Sequence, residues 1–205
     1  MSVMLDLIGS LVIAGFVILM GLRLNETISG SADASMAGLN VQESMAELVR
    51  NIESDFRKAG YNVPDPTQTI VLADTSHIKF IADINRNGTI DTIEWFLGPP
   101  LTTLPNPNIR VLYRNVTDST GVWTGGGAAG LGVTQFHLRY FTQVGDSIAP
   151  LDVADYNKIW IIEIALRVES PYKVQDVVNT DNSQYAASFW KQTRLASRNI
   201  KRHGG

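Results

Sequence analysis

The chain has 205 residues, a formal net charge of −3 and no cysteine. A slightly acidic chain leaves no basic footprint, so nucleic acid is not an expected partner. Lack of cysteine excludes disulfides, thiol catalysis and cysteine-ligated zinc, but leaves the compartment open.

The first element is an apolar run from Val3 to Leu22 that carries one charge, Asp6. About 20 helical residues reach roughly 30 Å, the thickness of a bilayer core. No basic stretch precedes the run, and it is longer than a signal-peptide core, so a membrane anchor is the first reading. Ala32, Ala34 and Ala37 keep a cleaved signal peptide as the alternative. Asp6 has two readings: it marks the membrane boundary, or it is a charge that finds a cation when helices bundle. A neighbouring subunit's N-terminal amine is one such cation. No polybasic cluster indicates lipid-headgroup recognition.

Asn25, Thr27, Ser29, Gly30 and Ser31 are poor helix formers, so the helix is expected to soften over 25–31. Periodicity then returns, with Met36, Leu39, Met45, Leu48, Ile52 and Phe56 forming a core-facing stripe. Glu43, Glu47, Arg50, Glu53 and Arg57 occupy the other face. Gly60, with Pro64 beyond it, predicts a helix end near Ala59. The chain thus divides into a transmembrane helix (1–24), an amphipathic continuation (25–60) and one globular domain (61–205).

Past Tyr61 the period changes to two. Ile78–Ala82, Ile93–Leu97, Ile109–Arg114, Thr134–Tyr140 and Lys158–Glu169 read as strands, most of them with one buried and one solvated face. Pro99, Pro100, Pro105 and Pro107 mark a connection. The expected fold class is α+β: a long N-terminal helix packed on an antiparallel sheet.

Asp83-Ile-Asn85-Arg-Asn87-Gly88-Thr89-Ile-Asp91-Thr-Ile-Glu94 fits the calcium-loop template, with oxygen side chains at alternate positions and a glycine for the turn. Asp83, Asn85, Asn87, Thr89, Asp91 and Glu94 are the candidate ligands. The flanks are strand-like, so this is not an EF-hand, and a metal-free hairpin loop is the other reading. Gly125–Gly130 satisfies a dinucleotide fingerprint by letter, but a strand follows it, so a flexible loop is expected. His77, His137 and His203 lack ligand spacing, and no nucleophile elbow or carboxylate pair argues for catalysis.

The plan of an apolar helix, an amphipathic continuation and an antiparallel sheet resembles type IV filament proteins: pilins and the pseudopilins of type II secretion. Ile52-Glu-Ser-Asp-Phe-Arg-Lys-Ala-Gly-Tyr61 is similar to the end of the long helix in W-type minor pilins and J-type minor pseudopilins. Ile78 to Leu97 resembles their strand–loop–strand hairpin, Ile159 to Ser170 their late strand, and Arg194 to Ile200 their C-terminal strand. Trimming of Met1, which small Ser2 permits, makes Asp6 the fifth residue. Mature pilins usually carry there the glutamate thought to pair with a neighbour's amine, so the resemblance assigns Asp6 to subunit assembly. The basic leader and Gly-Phe processing site of prepilins are not in this sequence.

The resemblance implies a non-enzymatic subunit whose partners are other pilin or pseudopilin subunits and the membrane. It implies a single pass through the cytoplasmic (inner) membrane, an exported C-terminal domain, and a surface or periplasmic filament on assembly. The rival reading is a membrane-anchored binding module with a calcium-stabilised loop; an anchored hydrolase would need a convergent polar pocket.

Overall fold

The computed structural model describes residues 2–148, 153–174 and 184–195. One helix, α1 (Ser2–Lys58, 57 residues), opens the chain, and at 1.5 Å per residue it is about 85 Å long. It runs unbroken through 25–31, against the expected softening. The hydroxyls of Thr27 and Ser35 donate to the carbonyls of Arg23 and Ser31 at 2.9 and 2.8 Å. Bonded back in this way, they sit in a helix without competing for its amides.

The helix ends where its backbone changes hand. Gly60 has φ 76°, a conformation cheap only for glycine, and its N–H donates to the Ile81 carbonyl at 2.9 Å. Arg57 and Lys58 lie in the last turn, where cations favour the negative end of the helix dipole.

Among the described residues, eight antiparallel strands follow: β1 (Ile70–Ala73), β2 (His77–Ala82), β3 (Asp91–Pro100), β4 (Arg110–Thr117), β5 (Trp123–Phe141), β6 (Ser147–Ile148), β7 (Ile161–Val174) and β8 (Gln184–Leu195). Their order is β1-β2-β3-β4-β5-β7-β8, with β6 pairing β5. The molecule is therefore α+β, with a long apolar N-terminal helix on an antiparallel sheet. The C-terminal strand expected over Arg194–Ile200 falls on β8 only at its start, and 196–200 lie outside the described residues.

Alternation decides which face meets the helix. Ile78 and Phe80 of β2, Ile93 and Trp95 of β3 and Leu112 of β4 are fully buried. They form the core with Val41, Met45, Leu48, Ile52 and Phe56 of α1. Phe56 meets Phe80 edge-on, with ring centroids 5.3 Å apart. Met36 and Leu39 were expected in this stripe, yet both are 63% exposed. The helical period runs on past the point where there is sheet to cover it.

A second correction concerns Gly125–Gly130, which is strand and not flexible loop. Gly125 pairs with Val116 and Gly130 with Leu112. The glycines serve close approach: a Cβ on Gly130 would come within 2.6 Å of the Leu48 side chain, and one on Gly126 would run into the Arg114 carbonyl. The first lets α1 sink onto β5; the second belongs to an irregular, bulged ladder.

The Pro-rich connection after β3 is pinned by Asn106, which is fully buried. Its amide donates to Glu169 Oε2 at 2.9 Å and to the Ser170 carbonyl at 3.2 Å, while its oxygen accepts from Asn108 N–H.

Candidate functional site

Two features stand out: the half of α1 that leaves the domain, and the loop between β2 and β3.

The span from Val3 is long and apolar enough to cross a membrane, and its most apolar stretch is not buried inside the molecule. Val3, Leu7, Leu11, Ile18 and Leu22 are each more than half exposed, and so are Met4, Ile8, Phe16 and Met20 on other sides of the same cylinder. A helix apolar all round calls for lipid or other helices as its surroundings. Added side-chain carbon at Gly9 or Gly15 would meet nothing within 4 Å, so both positions offer a second helix close approach. Asp6 is exposed on this part of the helix.

The docked half is held by a buried polar clamp. Asp55, 4% exposed, accepts the Trp95 indole N–H at 2.9 Å and two bonds from Arg114, at 2.6 and 3.0 Å. The two-point guanidinium–carboxylate geometry fixes orientation as well as charge. It sets the rotation and height of α1 against β3 and β4. Neither Trp95 nor Arg114 stood out as a partner in the sequence, because they lie 40 and 59 positions away. A cleft of about 620 Å³ opens where the helix leaves the sheet, between residues such as Asp33, Ala37 and Val41 and the end of β7 at Tyr172 and Lys173.

The β2–β3 loop is ordered by its own side chains. Asp83 Oδ1 accepts Asn87 N–H, and Asp83 Oδ2 accepts Gly88 N–H and the Asn62 amide, at 3.0–3.1 Å. Asn85 Oδ1 accepts Asn87 N–H, and Asn87 Oδ1 accepts Thr89 N–H. Arg86 and Gly88 take φ of 61° and 86°. Lys58 at the helix end donates to the Ile84 carbonyl at 3.3 Å.

Of the six candidate ligands, the loop gathers Asp83, Asn85, Asn87 and Thr89, with Asp91 at its root as the first residue of β3, paired with Ala82. Glu94 is not brought there. It pairs with His77 Nε2 at 2.8 Å and Lys79 Nζ at 3.2 Å on the solvated face. In a helix, residues three apart share a face; in a strand they point to opposite faces, so Asp91 is buried inward and Glu94 is turned out. Burial raises the Glu94 pKa, but the hydrogen bonds from His77 and Lys79 outweigh it and hold the carboxyl below its usual range.

Among the described residues, no three histidine, aspartate or glutamate side chains group as a metal centre. His137 lies in β5, paired with Ala165, and His203 is outside the described residues. No protein-family model matches the chain, and no curated protein matches its sequence significantly.

Proposed function

We propose that this chain is a non-enzymatic structural subunit of a type IV-like filament, a minor pilin or pseudopilin that assembles through α1. The observation that supports this reading is the division of one unbroken helix. Its second half is docked on the sheet, and its first half offers apolar side chains on all sides. Before assembly the exposed half rests in the cytoplasmic membrane, with the sheet domain exported. In the filament it trades lipid for helix packing, gained from van der Waals contact and close approach at Gly9, Ser10 and Gly15. In that bundle Asp6 pairs with the terminal amine of a neighbour, strengthened by the low dielectric.

The chain has no native cysteine, so Val12→Cys supplies a single cross-linking site. Cells carrying it are sheared gently, and the released material is compared with the membranes. Cross-links to other apolar-helix subunits and recovery with sheared filaments are expected. Recovery only as an uncross-linked membrane protein counts against assembly and in favour of an anchored binding module.

A further inference from the structure

At the root of the β2–β3 loop one buried carboxylate has no evident work to do. Asp91 is 2% exposed, and its Oδ2 has no hydrogen-bond partner. A carboxylate oxygen withdrawn from water without a donor is costly, so it calls for a partner of positive charge. Asp91 opens β3 opposite Ala82, beside Asp83, where the loop closes on itself. The loop oxygens nearest in sequence are already oriented: those of Asp83, Asn85 and Asn87 accept backbone N–H bonds. Asp83 Oδ1 and Asn85 Oδ1 accept one bond each and retain acceptor capacity. Asp83 Oδ2 accepts from Gly88 and Asn62, and Asn87 Oδ1 accepts from both the N–H and the hydroxyl of Thr89, so the Thr89 hydroxyl turns away when Asn87 takes the ion.

We infer that Asp91, Asp83, Asn85, Asn87 and the Thr89 carbonyl form a binding site for one calcium ion. All the donors are hard oxygens, without the nitrogen or sulfur that zinc prefers. Two carboxylates balance the charge of a divalent cation, and neutral amide and carbonyl oxygens complete a flexible oxygen shell, which suits calcium better than octahedral magnesium. With two charged ligands the affinity falls in the range of extracellular modules, Kd on the order of 10⁻⁴–10⁻³ M. Glu94 takes no part, since it faces the other side of the sheet in its pair with Lys79 and His77. The ion stiffens the hairpin to which the end of α1 is tied, through Asp83 N–H on the Tyr61 carbonyl and Lys58 on the Ile84 carbonyl. The site stands whether or not the chain assembles into filaments.

The test is thermal unfolding of the full chain in detergent, followed by near-ultraviolet circular dichroism, in calcium and in chelator. At a calcium concentration about tenfold above Kd, mass action raises Tm by about 3–6 °C. Magnesium at the same concentration gives less than half of that. Asp91→Asn, which imitates the protonated acid, loses the shift, whereas Glu94→Gln keeps it. No calcium shift in the wild type means that the proposal is wrong. An equal shift in Asp91→Asn overturns it as well. Should Asp91→Asn fail to fold, calorimetric titration of calcium into the wild type and into Asn87→Ala, an exposed position, decides. Single-site heat that weakens at least threefold in the variant supports the site, and equal or absent heat refutes it.

Discussion

The two halves of α1 share one backbone and differ in where their apolar side chains point. From Val3 to Leu24 they point in every direction and stay exposed; from Val41 to Ala59 they point one way and are buried. The first arrangement has no single face with which to dock, so it calls for a surrounding medium. The second has a stripe as wide as the sheet can cover and leaves Glu43, Glu47 and Arg50 outside. The passage between the halves needs no hinge. It is set by the reach of the sheet, and so Met36 and Leu39 keep the helical period and still lie exposed.

The comparison breaks most sharply at Asp55. Removing its carboxylate in Asp55→Ala strands the Trp95 N–H and the Arg114 guanidinium, both of which it serves. Breaking a buried pair in this way costs about 3–5 kcal/mol. Denaturant unfolding of the sheet domain should show that loss, and a loss under about 1 kcal/mol would mean the clamp does not hold the helix. Gly130→Ala probes the same docking through shape. Its methyl group enters the space of the Leu48 side chain, and overpacking of this kind costs about 1–3 kcal/mol. Coupling of Gly130→Ala with Leu48→Ala should recover part of that loss, because the smaller side chain makes room. Strict additivity would separate Gly130 from the helix seat.

These positions also show what the sequence could and could not disclose. Periods of 3.6 and 2 made the helix, the strands and the α+β class legible, because each depends only on neighbours in the chain. The Gly125–Gly130 run misleads for the opposite reason. Glycine carries no side chain to register a period, and its role depends on Leu48 and on β4, both distant in sequence. Asn106 is likewise silent until β7 lies beside it. In the loop, the run of Asp83, Asn85, Asn87 and Gly88 between two strand patterns was enough to anticipate a hairpin connection. Glu94 was misplaced because the template assumes a helix after the loop, and a strand turns the same position to the other face.

A smaller effect tests contacts that hold the sheet but not the helix. Glu94 bridges β3 to β2 on the face away from α1. Its folded pKa lies below the 4.5 of the free group, so the stability it adds is full above about pH 4.5. That stability is lost as pH falls through the lower folded value. Glu94→Gln should therefore cost about 0.5–1 kcal/mol near pH 7 and almost nothing once the wild-type carboxyl is protonated. Unfolding curves of the two proteins should converge in acid. A gap that stays constant with pH would show that Glu94 acts through packing and not through its charge.

The smallest change in stability is expected at Asp6, and there the comparison is tested from its other side. Asp6 is exposed on the half of α1 that leaves the domain, so Asp6→Ala should leave unfolding of the sheet domain within about 0.5 kcal/mol of wild type. Membrane insertion should also persist, because replacing a carboxylate by a methyl group lowers the cost of entering lipid. On the proposed assembly, what should fall is recovery with sheared filaments, since the terminal amine of a neighbour would lose its partner within the bundle. A variant that inserts and folds as the wild type does and still assembles at the wild-type level would remove Asp6 from assembly. It would leave helix packing at Gly9 and Gly15 to carry the association alone.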